Sequence, residues 1–280
     1  NQIWLIDLLG DLMQEGSLNF GAKEIADQMA NMGGDLNVFV GPHNTNLQAS
    51  VLYEFVPDAI TLMTDVLLHP SFPEKEMDRL KNDRKRNLNV SLTRPGNLAT
   101  QEFNKQLYPD HPYGRDFPNE EMIDGYTVED IKAFYDANFG GKRTTIYVSG
   151  KFDSEKVKAA VEKAFKELQE GPEATYPVAT PRTDGKITLL DRPGAPQSTL
   201  MMGLPVADPS NPDFVALDVM NSILGGSFGS RITSNIREDK GYTYSPRSTV
   251  DSRYKSAIWY EQADVTTEFT GASMQEITKE

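Results

Sequence analysis

Apolar residues recur along the start of the chain with the period of a helix. Leu5, Leu8, Leu9 and Leu12 fall on one side of a helical wheel, and Asp7, Gly10, Asp11 and Gln14 on the other. The same reading predicts helices over 2–14 and 22–32, a strand pair over 35–40 and 47–55, and several helices up to residue 139. Arg143 to Ser149 alternates as a strand does, and Ser154 to Leu168 reads as an amphipathic helix. Between 167 and 186 the periodicity fades, while Gly171, Pro172, Pro177, Pro181 and Gly185 accumulate, which marks a linker.

Beyond the linker the pattern restarts. Strands are expected at Ile187–Leu190 and Ser198–Leu204, helices at Pro212–Leu224 and Gly229–Lys240, then strands through Tyr244 and Ile258. The apolar helix from Phe214 to Leu224 echoes Trp4 to Met13, which suggests a degenerate duplication at a spacing of about 210 residues. A length of 280 residues suits two domains. The expected division is an α+β domain over 1–168, a linker over 169–185 and a related α+β domain over 186–280.

Composition narrows the function classes. A net charge of −13 argues against a nucleic-acid partner, whose phosphates demand basic patches. Basic residues gather only at Lys81 to Arg86, read as an exposed helix face. No run of 18 or more apolar residues and no charged-then-apolar leader occurs, so neither a membrane span nor a signal peptide is expected in this segment. With no cysteine, disulfides and thiol chemistry are excluded. His43, His69 and His111 are scattered rather than spaced as ligands, and each is read as structural. Gly225-Gly226-Ser227-Phe228-Gly229 spells a nucleophile elbow, but a helical pattern precedes Ser227 and no histidine follows His111. Its glycines are expected to let two helices meet.

Several short tags then combine. Glu15-Gly16-Ser17, Ala22 to Asp27, Gly33-Gly34-Asp35-Leu36-Asn37, Leu67 to Phe72, His111-Pro112-Tyr113-Gly114 and Thr127 to Tyr135 resemble, in order and distance, the pitrilysin/insulinase (M16) family of metallopeptidases. The resemblance implies two related domains of the M16/LuxS-like metallohydrolase type, each a mainly antiparallel sheet covered by helices. It also implies that both ends are truncated. Catalytic members carry H-x-x-E-H, with two imidazoles for zinc and a glutamate as general base. Here those positions read Asp7, Gly10 and Asp11, and the family's downstream carboxylate positions read Leu80 and Asn87. Asp7 and Asp11 alone are too few to hold a cation, and a solvated or partner-facing surface is expected there.

In the second half, Arg237 and Tyr244 resemble the family's Arg/Tyr pair, seven residues apart, which reaches the substrate backbone near the scissile bond. Gly241 should end the helix, placing Arg237 in its last turn and Tyr244 on the next strand. Tyr242 does not keep the spacing. The strand Leu36–Val40 occupies the place where catalytic relatives pair an extended substrate.

The implied function is a non-catalytic, substrate-binding or regulatory subunit, inactive as an enzyme by itself and binding no cofactor or metal. It would close the chamber of a zinc peptidase complex and supply Arg237 and Tyr244 to the zinc of a partner with an intact H-x-x-E-H. The alternative is a structural or interaction protein of the same fold. A bacterial periplasmic or cell-envelope location is favoured by resemblance alone, with the cytoplasm as the other option.

Overall fold

The leucine stripe of the first helix is where the fold begins. A computed structural model describes residues 2–280, so Asn1, which opens the first expected domain, lies outside them. Helix α1 (Leu5–Gln14) buries Leu5, Leu8, Leu9, Leu12 and Met13 completely. They pack under helices α3 (Val56–Leu68) and α7 (Val128–Asn138) and strand β1 (Asp35–Val40). Each such side chain contributes roughly 1.5–3 kcal/mol relative to exposure. Helix α2 (Ala22–Asn31) starts where Glu24 accepts from the Gly21 N–H at 2.9 Å, and α7 starts with the Thr127/Asp130 capping box.

Strand β1 pairs antiparallel with β2 (Thr45–Ser50), Asp35 opposite Ser50 and Val40 opposite Thr45. The turn into this hairpin needs glycine twice. Gly33 has φ +75°, and a Cβ on Gly34 would overlap the Ser50 carbonyl oxygen. Gly34→Ala is therefore expected to cost about 3 kcal/mol, the upper end for overpacking, because backbone rather than a side chain must yield. A shift of under about 1 kcal/mol in urea unfolding would mean that the hairpin moves aside freely.

The remaining elements are α4 (Met77–Thr93), α5 (Pro95–Leu107), α6 (Glu120–Gly125), α8 (Ser154–Ala164), β3 (Gln197–Val206), α9 (Phe214–Asn221), β4 (Arg247–Arg253), β5 (Ser256–Thr266) and α10 (Thr270–Lys279). Strand β5 is central in the order β3-β5-β4, and both pairings are antiparallel. Mixed helices and antiparallel sheets are the α+β class expected. The residues group into one unit of 2–88 with 118–175 and another of 89–117 with 176–280. Space thus divides the chain differently from the boundary drawn at 169–185. Helix α5 packs on β3, where Gly203 admits the Phe103 ring, so 89–117 joins the later strands.

Local expectations are corrected at several points. Residues 144–149 and 187–190 form no strand, and Ile187 and Leu189 are largely exposed. Alternation identifies two faces, but a strand also needs a neighbour to complete its ladder, and none of the described strands pairs there. The second expected strand, 47–55, ends at Ser50 and passes into a 3₁₀ turn at Tyr53–Phe55. Helix α9 ends at Asn221 and runs into a π-helical turn, Ser222–Gly226, and Thr233–Asp239 is π-helical as well.

Candidate substrate-binding cluster and the altered metal helix

On the polar face of α1, the two carboxylates are held rather than solvated. The Arg84 guanidinium, from α4, donates to both oxygens of Asp11 at 2.7 Å, to Asp7 Oδ1 at 3.3 Å and to the Asp7 carbonyl at 3.1 Å. Its side chain is only 20% exposed. Burial raises the pKa of Asp7 and Asp11 above the usual carboxylate value, and the Arg84 charge partly offsets this. The pair is thus ion-paired within the chain rather than freely solvated, and the basic run divides: Arg86 is exposed as expected, whereas Arg84 and Lys85 are engaged. Arg84 bridges to α1, and Lys85 reaches Asp124 at 2.7 Å.

The other positions of this face fit zinc no better. Gly10 lies against β1 so closely that a Cβ would come within 3.0 Å of a Val40 methyl and 3.2 Å of a Val38 methyl, so any larger side chain must push these valines aside. Leu80 is buried in the apolar cluster beneath α1, and Asn87 is exposed. Zinc takes imidazole, thiolate or carboxylate donors in a tetrahedral set, whereas here two carboxylates are already bound to a guanidinium. Among the described residues no group of three His, Cys, Asp or Glu could hold a metal. His111 is engaged locally: its Nδ1 accepts from the Tyr113 N–H at 3.3 Å, and its ring lies 4.2 Å from that of Tyr113.

In the other unit, the fold brings Arg237 and Tyr244 together. The Arg237 guanidinium lies 4.7 Å from the Tyr244 ring centre and 4.4 Å from that of Phe228, and its Nε is 3.2 Å from Glu238. Tyr244 is 77% exposed and Phe228 is also largely exposed. Each cation–π contact is worth about 0.5–1 kcal/mol at such a surface site. Gly241, at φ +64°, ends the segment as expected, with its N–H on the Arg237 carbonyl at 3.0 Å. Tyr244 is not on a strand: it follows a single bridge, Thr243 to Val265, and precedes β4, so its ring is free to turn back over Arg237. Tyr242 is stacked on Phe269 at 4.5 Å and is packed away from this cluster. A guanidinium and a phenol at one surface point can donate several hydrogen bonds to a carbonyl oxygen that is gaining negative charge.

Sequence reasoning passed over three residues. Arg84 lies between Leu80 and Asn87 at helical spacing, so its direction was legible from those two positions. Phe228 had no periodic signal. Glu261 occupies the inward alternation of β5 with Ala257, Trp259, Ala263 and Val265, a signal that a lone acid there is buried. It is 1% exposed, with no hydrogen-bond partner on either carboxylate oxygen, and burial pushes its pKa up to about 8. The glycines near it were expected to let two helices meet. Instead Gly225 meets the sheet, where a Cβ would come within 2.5 Å of Ser248 Oγ and 2.9 Å of Glu261 Oε2. Ser227 donates to the Ser222 carbonyl at 2.9 Å and faces no base.

Comparison with known proteins gives these positions a context. Residues 7–120 match the model "Insulinase (Peptidase family M16)", and residues 125–280 match "Peptidase M16 inactive domain". The uncharacterized zinc protease YmxG of Bacillus subtilis is 26% identical over 94% of this chain and 62% of its own length. An uncharacterized zinc protease of Rickettsia felis is 24% identical over 82% of this chain and 56% of its own. The chain thus spans less than two thirds of the length of these relatives. A protease from Helicobacter pylori superposes with a TM-score of 0.90 at 20% identity, covering 99% of this chain and 68% of that one. The periplasmic protease PqqL from Escherichia coli superposes with a TM-score of 0.79 at 16% identity, covering 99% and 31%. With both halves matched by its two domain models, the chain belongs to the insulinase (M16) family of peptidases.

Proposed function

We propose that this chain is a non-catalytic, substrate-binding subunit of a zinc peptidase complex, paired with an M16 subunit that carries an intact H-x-x-E-H. The observation that carries this reading is the Arg237–Tyr244 pair at the surface, in a chain whose metal helix presents Asp7 and Asp11 to Arg84. The chain itself binds no metal, and the zinc and its activated water belong to the partner. Arg237 and Tyr244 hold the peptide carbonyl and stabilise its oxygen as charge develops during attack. The free edge of β1, paired with β2 alone among the described strands, supports addition of an extended peptide as a further strand. No helix among the described residues is long and apolar enough to cross a membrane. A periplasmic or envelope location draws support from the fold shared with PqqL, a periplasmic protease.

The test is to purify the chain alone and mixed with a relative bearing the intact motif, then to measure bound zinc and peptide cleavage in each. Cleavage is expected only in the mixture, and zinc or cleavage with the single chain overturns the reading. Arg237→Ala should lower turnover of the mixture by about 10²-fold. A second reading, an interaction protein with no part in cleavage, is favoured by the exposed Val215 and Val219 of α9 and Ile223 of the turn after it. It predicts assembly with the partner but no effect of Arg237→Ala.

A further inference from the structure

The polar interior beneath α9 is the reverse of ordinary helix packing. Val215, Val219 and Ile223 face outward, while Asn221 is buried, accepting from Ser248 Oγ at 2.6 Å and from Trp259 Nε1 at 2.9 Å on the same side-chain oxygen. Glu261 lies beside this group on β5, opposite Ser248 of β4 and Met202 of β3. The π-helical turn Ser222–Gly226 packs on β4, with Gly225 directly over the Glu261 carboxyl. Nothing in this enclosure offers a counter-charge. Strand β3 has no charged residue, and the charged groups on the other surrounding elements point elsewhere. Asp218 on α9, Glu238 and Asp239 on the second π-helical segment, Arg247 on β4 and Asp264 on β5 are exposed, and Arg237 stacks on Phe228 and Tyr244. Asp251 and Arg253 pair with one another, and on α10 Glu276 pairs with Lys240 and Lys279. The Arg247 backbone amide, which makes no hydrogen bond of normal geometry to the carboxylate, lowers its pKa, and burial outweighs it.

We propose that Glu261 is a pH-sensitive latch: as a neutral acid it lets the turn Ser222–Gly226 seat on the sheet, and on ionisation it lifts that turn and loosens the Phe228–Arg237–Tyr244 cluster. The physical reason is that an ionised carboxylate with no partner must reach water. The strands on either side are locked by their ladders, so the glycine-containing turn is the element that yields. Only Ser227 separates this turn from Phe228, so its displacement carries the ring away from Arg237.

Amide hydrogen exchange, corrected for intrinsic rates, tests the latch in the full chain. Between about pH 6 and pH 9.5 the segment 222–230 should lose protection at least about tenfold while α10 keeps its own. In Glu261→Gln the same segment should stay protected throughout. Glu261→Met provides a second non-ionising side chain should the amide fold poorly. Constant protection in the native chain, an equal loss in the substituted chains, or a loss spread uniformly over all segments would overturn the proposal.

Discussion

The Glu261→Gln variant is expected to exceed the native chain in stability at alkaline pH by up to about 5 kcal/mol. The pKa of Glu261 rises from 4.5 to about 8 in the fold, chiefly because burial removes the carboxylate from water. A carboxyl with a raised pKa favours the fold fully below its unfolded value, and that contribution is lost as pH rises through the folded one. Native stability should therefore fall from about pH 4.5 to about pH 8, whereas glutamine, always neutral, adds no such slope. If the turn over Glu261 lifts, the loss stops at the cost of opening it, so about 5 kcal/mol is the ceiling. Urea midpoints measured across this range decide the matter. Parallel curves for the two chains would mean that Glu261 is already solvated.

Replacing Arg84 by methionine should cost about 2–3 kcal/mol at neutral pH. Removing one partner of a buried ion pair costs roughly 3–5 kcal/mol, and the side chains here retain some exposure, which lowers the figure. Methionine keeps much of the aliphatic length, so the deficit reports the charge rather than a cavity. Burial already raises both aspartates, and without Arg84 they rise further. Each then favours the fold at acid pH and disfavours it as pH climbs through its folded value. The gap between native and Arg84→Met chains should thus be narrow in acid and widen towards neutrality. A gap independent of pH would reduce Arg84 to a packing residue. Zinc uptake by Arg84→Met would show that Asp7 and Asp11 retain metal affinity once freed.

Much of this arrangement is legible in the residues alone. The leucine stripe of α1, the hairpin of β1 and β2, the glycine stop at Gly241 and the seven-residue spacing of Arg237 and Tyr244 are local facts of the chain. Period, breaker residues and tag order report such facts directly. Local pattern fails where a residue's meaning depends on what approaches it from elsewhere. Lys81 to Arg86 looks like a solvated run, yet Arg84 faces two carboxylates more than seventy positions away in sequence. The segment 143–149 alternates and 187–190 reads as a strand, yet both lack a strand to pair with.

The echo between α1 and α9 shows the division most clearly. By itself the sequence determined that both segments are apolar helices, because helical period and side-chain type are carried by neighbours a few positions apart. Tertiary structure alone decided that α1 turns its leucines inward while α9 and the turn after it leave Val215, Val219 and Ile223 outside, bury Asn221 and set Gly225 over a buried Glu261. Burial, charge pairing and pKa depend on which distant groups displace water around a side chain, and local pattern does not encode that.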